Sequence, residues 1–172
     1  YESYGSSKRN LEILSRAYRA QHGRKFVTVI PSNIFGTISQ LREGGPVIDA
    51  LMSKAAQSAA TGSEFTCRGT GAPYRQFCYA PDLARVLIWS LEHYDEEEPI
   101  NVAGEEISIR AVAELIANMF GVEKRLSFDA SFPDGPMYRT LSDDKLRRLY
   151  EGYEQTDFET ALRSVVARVI NA

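Results

Sequence analysis

The chain has 172 residues, 44% of them hydrophobic and 25% charged, enough for a compact core and unlike the composition of a disordered segment. A net charge of -3 and a pI near 5.5 give no general attraction to nucleic acid, and no apolar run approaches the length of a membrane span. An anionic ligand therefore has to be held by local positive groups.

The first residues, YESYGSSK, carry no initiator Met, and the sequence reads as the later portion of a longer polypeptide. The run SKRNLEILSRAYRAQHG that follows has helical spacing, with Leu11, Leu14, Ala17 and Tyr18 on one face. Tyr4 and Lys8 stand four apart at its start, so phenol and ammonium project from the same side. A cation beside a phenol favours the phenolate, and such a pair suits proton transfer near neutral pH. His22-Gly23 ends the helix, and KFVTVIP (25–31) reads as a short buried strand running into the turn-rich segment PSNIFG.

A second helix is expected over 46–59, with Pro46 at its start and Thr61-Gly62 as its stop. Strand EFTCRG, loop GTGAPYR and strand QFCYA follow, then a helix opened by Asp82, in which Leu83, Val86, Leu87 and Leu91 recur at helical spacing. The acidic run 95–98 (DEEE) reads as a solvated helix end. Strand PINVAG leads to a helix beginning at Ser108, buried through Val112, Leu115, Ile116 and Met119 and ended by Gly121. Strand RLSFDA, loop SFPDGPMYR, a short helix around SDDKLRRL and a last helix opened by Thr156 or Asp157 complete the chain.

This alternation predicts an α/β fold with parallel connections favoured over hairpins. Cys67 and Cys78 fall on strands that read as neighbours; with no secretory mark they are expected to be buried, reduced thiols in a cytoplasmic protein. Neither they nor His22 and His93 show metal-ligand spacing, so no metal is expected. No glycine-rich turn of the G-x-G-x-x-G type joins a strand to a helix, so the phosphates of any dinucleotide would lie on sequence outside this chain.

Four stretches in order, YGSSK, VIPSNIFG, GTGAPYRQFCYAPDLA and INVAGEEISI, resemble the second half of the extended short-chain dehydrogenases/reductases that act on nucleotide sugars. Within them, SDDKLR after FPDGPMYR, and RQF followed by DLA, are most similar to the GDP-L-fucose synthases. The resemblance implies the second half of an NAD(P)-binding Rossmann-like domain (1–36), its glycine-rich first half absent, plus a small α/β substrate domain (37–172). The segment around 74–103 is expected to return toward the Rossmann sheet. The implied cofactor is NADP. The implied reaction converts GDP-4-keto-6-deoxy-D-mannose to GDP-L-fucose, with the missing half required for activity.

On this resemblance Tyr4 is the catalytic acid that protonates the forming alkoxide, and Lys8 holds the nicotinamide ribose. Pro31, Ser32, Asn33 and Ile34 touch the cofactor, and Asn33 also faces the substrate; by residue type alone the segment is a Pro-fixed turn. Lys54 matches a basic residue facing GDP, although a lone helix Lys is usually solvated. Arg75 matches an Arg that pairs with the diphosphate, a task suited to a planar fork of donors. Arg68 stands where the synthases carry a Trp against the nucleotide, and Asp134 matches an acidic residue at the substrate or forms a plain Asp-Gly turn.

The family's base cysteine belongs to the absent half, so neither Cys67 nor Cys78 inherits that role. Pro46 replaces the His that serves as acid for epimerisation, and the loop before it is one residue shorter. A GDP-sugar substrate and a homodimer through the Tyr4/Lys8 helix are the implied partners, with neither nucleic acid nor membrane. Two alternatives stay open: another nucleotide-sugar reductase or epimerase of the superfamily, and a catalytically silent homologue kept for structure or binding, which Pro46 and Arg68 motivate.

Overall fold

Short strands from distant parts of the chain pair in parallel, and helices cover them. The computed structural model describes residues 2–36 and 45–170. It shows an α/β fold of six α-helices and seven strands among those residues. The expected shortening of the loop before Pro46 lies outside the described residues.

Helix α1 (Glu2–His22) carries Tyr4 and Lys8. Its Leu11, Leu14 and Tyr18 do share one face, but that face is exposed; the residues turned toward the rest of the chain are Glu12, Ser15 and Arg19. Glu12 is bracketed by Arg9 and Arg16, each 2.9 Å away, and Arg19 reaches Asp95 at 2.7 Å. Lys25 pairs with the same carboxylate, and these two bonds hold the Asp95 carboxyl below its usual range. The acidic run is therefore not simply solvated: Glu96 also pairs with Lys145 at 2.7 Å.

Of the expected strand 25–31 only β1 (Val29–Pro31) forms, half-buried, parallel to β5 (Ile100–Val102). PSNIFG is not a free turn. After a bend at Ser32 the chain enters β2 (Asn33–Phe35), which pairs in parallel with β4 (Tyr74–Tyr79). Strand β4 pairs antiparallel on its other side with β6 (Glu105–Ser108), a strand hidden in sequence because its two glutamates give no apolar alternation. Strand β3 (Phe65–Arg68) pairs in parallel with β7 (Leu126–Asp129).

Ser32 and Gly104 sit where the chain passes between the β1–β5 sheet and the β2–β4–β6 sheet. The Ser32 N–H donates to the Val102 carbonyl, and the Gly104 N–H donates to Ser32 Oγ, both at 2.9 Å. A Cβ on Gly104 would stand 1.9 Å from the Phe77 carbonyl oxygen, so only glycine permits the backbones to cross here.

Helix α2 (Val47–Thr61) follows Pro46 and ends at Gly62, whose φ of 78° makes the left-handed stop. Helix α4 (Ile109–Phe120) is capped by the Ser108 hydroxyl, which accepts from the Ala111 N–H, and ends at Gly121. The main core joins Ile48 and Met52 of α2, Phe65, Phe77, Val112 and Ile116 to Phe158 and Leu162 of α6 (Phe158–Ile170). Each such side chain contributes about 1.5–3 kcal/mol when fully buried. A smaller core packs Val86 of α3 (Ala80–His93) on Ile100, Val102 and Leu146 of α5 (Asp144–Leu149).

Cys67 and Cys78 are both free and buried. Contrary to expectation their strands are not neighbours, since β3 pairs with β7 and β4 with β2 and β6; each thiol lies in a different core. Burial pushes Cys67 up to about 11 and Cys78 up to about 12, which leaves both as thiols at neutral pH. No helix among the described residues is long and apolar enough to cross a membrane.

Asp82 does not open α3, which begins two residues earlier with Pro81 in its first turn. Its fully buried carboxylate instead accepts from the Thr156 N–H and hydroxyl, both at 2.8 Å, and pairs with Arg85. This fixes the chain just before Asp157, which caps α6 by accepting from the Thr160 N–H. Asp82→Ala is expected to lower stability by about 2–3 kcal/mol by leaving those donors without their charged acceptor. Urea denaturation followed by circular dichroism reads the loss, and a variant as stable as the parent shows that Thr156 finds another partner.

Candidate functional site

A cleft of about 360 Å³ opens between β2, the start of α2, the end of β3, β4 and residues 133–135. Asn33, Ile34, Pro46, Arg68, Arg75 and Asp134 line it, so one concavity collects residues that are up to 101 positions apart. Parallel pairing of β2 with β4 places Asn33 opposite Phe77, and the Asn33 amide donates to the Gln76 carbonyl at 2.8 Å. The Asn33 side chain thus bonds the neighbouring strand rather than a turn of its own.

Two guanidinium groups supply the positive charge that the acidic chain lacks overall. Arg68, at the end of β3, lies over the Phe132 ring, 4.7 Å from its centroid. Arg75 donates through Nη1 to the carbonyls of Tyr74 and Pro136. Asp134 brings a carboxylate to the same wall, but its Oδ1 accepts from the Thr70 N–H at 2.9 Å and its Oδ2 from the Thr70 hydroxyl at 2.6 Å.

The other predicted site residues are placed elsewhere. Pro31 and Ser32 hold the sheet joint: Pro31 lies opposite Val102, and the Ser32 N–H and hydroxyl are both engaged there. Tyr4 and Lys8 do share one side of α1, with Lys8 Nζ 5.5 Å from the Tyr4 ring centroid, but neither lines the cleft and Tyr4 is 67% exposed. Lys54 is half-buried rather than on an exposed helix face. Its ammonium donates to the Thr66 carbonyl at 2.8 Å and ties α2 to β3.

Thr70, Phe132 and Pro136 were not singled out by sequence reasoning. Their signal was the glycine-rich turn GTGAP and the turn residues of SFPDGP, but nothing local shows that these two loops meet. Pro46 lines the cleft and contributes no titratable group to it. Among the described residues no group of three His, Cys, Asp or Glu side chains could hold a metal ion.

Residues 1–103 match the NAD dependent epimerase/dehydratase family. The chain belongs to this family. It is 37% identical over 166 residues to the GDP-L-fucose synthase of Dictyostelium discoideum, covering 94% of this chain and 52% of that protein. It is 35% identical over 174 residues to a probable GDP-L-fucose synthase of Drosophila melanogaster, covering 95% and 54%. The crystal structure of a GDP-L-fucose synthetase from Naegleria fowleri bound to NADP superposes with a TM-score of 0.91 at 35% identity, over 98% of this chain and 55% of that one. The chain thus spans about half the length of the curated relatives it matches.

Lys54 fastens α2 to β3 through the Thr66 carbonyl. Replacing it with Met, which keeps the apolar stem, is expected to cost about 1 kcal/mol by freeing the Thr66 carbonyl. Nucleotide affinity should stay unchanged. Urea titration together with calorimetric binding of GDP checks both parts, and a loss of GDP affinity at unchanged stability would assign Lys54 to the ligand instead.

Proposed function

We propose that this chain is the substrate-binding portion of an NADP-dependent nucleotide-sugar reductase of the GDP-L-fucose synthase type, acting on GDP-4-keto-6-deoxy-D-mannose in the cytoplasm. The observation that carries this reading is the cleft itself. Two guanidinium groups and an amide converge there, in a chain whose net charge would otherwise repel a diphosphate. Arg75 binds the diphosphate, Arg68 lies against the nucleotide, and Asn33 orients the sugar.

The residues present fit one end of NADP. Tyr4 and Lys8 offer a phenol and an ammonium on one side of a helix, the donor set suited to a ribose hydroxyl and a reacting carbonyl. Tyr4, Lys8 and the segment Pro31–Ile34 would hold the nicotinamide end, Ser32 chiefly through backbone because its hydroxyl is engaged with Gly104. NADPH supplies the hydride for reduction at C4 when bound. Tyr4 donates its phenolic proton to the C4 oxygen, and Lys8 holds the ribose and keeps positive charge beside the phenol. The β1–β5 sheet with α1 then belongs to the cofactor side and the cleft-bearing sheet to the substrate side. Two copies pair about a two-fold axis through the exposed Leu11, Leu14 and Tyr18 stripe of α1.

A protein joining this chain to its glycine-rich half, given NADPH and the keto sugar, tests the reading. Tyr4→Phe should abolish NADPH oxidation with the fold intact, and Arg75→Ala should weaken GDP binding by about 1.5–3 kcal/mol. Near-normal turnover of Tyr4→Phe excludes the proton donor. Unchanged GDP affinity of Arg75→Ala leaves Arg75 a purely structural role, and light scattering that finds only monomers at micromolar concentration removes the pairing.

Pro46 favours a second, narrower reading, in which reduction outruns epimerisation. A general acid contributes about 10²- to 10⁴-fold, and the cleft wall carries proline where the synthases resembled carry that acid. The unmodified protein should then yield much unepimerised 6-deoxyhexose, and Pro46→His should shift the product toward L-fucose. Full incorporation of solvent deuterium at C3 and C5 by the unmodified protein shows that another residue supplies the proton.

A further inference from the structure

Resting on the reading of the cleft as a nucleotide-sugar site, we propose that Thr70 is a positioning residue: its paired hydrogen bonds to Asp134 hold the loop that sets the two guanidinium groups. Both Asp134 oxygens are engaged, by the N–H and the hydroxyl of one residue, Thr70.

The fit around this pair is close. Gly69 has a φ of 85°, and a Cβ there would stand 2.4 Å from Asp134 Oδ1, so a glycine is what lets the two loops meet. On the other side of Thr70, its hydroxyl accepts from the Ala72 N–H at 3.1 Å, and its carbonyl accepts from Arg110, whose guanidinium lies over Phe128. The GTGAP loop is thereby fixed to the body of the fold, and Asp134 fixes the loop 131–137 to it.

Both arginines take their positions from the loop so held. Phe132, two residues before Asp134, is the surface under Arg68. Pro136, two residues after, accepts from Arg75, and Gly135 admits that guanidinium, since a Cβ there would stand 3.1 Å from its Nη2. The Tyr74 N–H donates to the Met137 carbonyl at 2.7 Å and closes the same seam. Releasing Thr70 from Asp134 therefore disturbs both guanidinium groups together, although Thr70 does not line the cleft. Small misplacement of positioned charges is enough to lose affinity.

The test is a double-mutant cycle on the protein that joins this chain to its glycine-rich half, with GDP affinity measured by calorimetry and folding checked by thermal melting. Thr70→Val and Asp134→Ala should each weaken GDP binding about tenfold, the double variant should bind no worse than the weaker single one, and Thr70→Ser should bind like the parent. Melting of Thr70→Val should stay close to that of the parent, which separates positioning from loss of fold. If Thr70→Val binds GDP as the parent does, the clamp is irrelevant to the site and the proposal fails. Additive losses mean that Thr70 and Asp134 act on binding independently, which also overturns it. A parent protein that binds no GDP removes the underlying reading of the cleft, an outcome distinct from either.

Discussion

The hydrogen bond from the Gly104 N–H to Ser32 Oγ closes the point where two sheets are stitched into one fold. Both connecting strands change sheets at this level, β1 into β2 through Ser32 and β5 toward β6 through residues 103–104, while the Phe77 carbonyl of β4 lies against Gly104. At Gly104 the joint tolerates no side chain. It sets the register in which Asn33 faces Phe77, and hence which end of β2 opens into the cleft. The residues of PSNIFG consequently divide their work: the first two build the joint and the next two line the cavity.

Electrostatics follow the same economy of position. The chain is acidic as a whole, and several of its charged groups are paired, with Asp95 between Arg19 and Lys25, and Glu96 on Lys145. Arg68 and Arg75 are different, because they are oriented by an aromatic ring and by carbonyl oxygens rather than by carboxylates. A guanidinium held in this way keeps its full charge for a ligand, whereas one paired with a carboxylate would already be neutralised.

Much of the fold was legible because helices announce themselves locally. Ser108 and Gly121 bracket α4 as their chemistry requires, Gly62 stops α2, and Asp157 caps α6. Strands were harder. β2 carries proline and asparagine signals beside it and exists through pairing with β4, 43 residues on from Asn33 to Gln76 in the bond that fastens it; β6 has two exposed glutamates and no alternation. The candidate site divided along the same line. Arg68, Arg75, Asn33 and Asp134 could be named from the sequence and do meet, whereas the engagement of Asp134 with Thr70, of Lys54 with Thr66, and of Asp82 with Thr156 are tertiary bonds between segments with no shared local pattern.

Helix α1 reverses the usual arrangement, with a polar stripe turned inward and leucines turned out. The ion pair that ties it to the rest of the chain, Arg19 with Asp95, is partly exposed, and such pairs contribute little and are weakened by salt. The element that carries Tyr4 and Lys8 contributes no residue to either core. Its alignment with the sheet depends on whatever surface comes to rest on Leu11 and Leu14. Those two leucines, which touch no part of the cleft, consequently have leverage over chemistry: a polar side chain at either would leave every proposed reacting group in place and still loosen the helix that aims them.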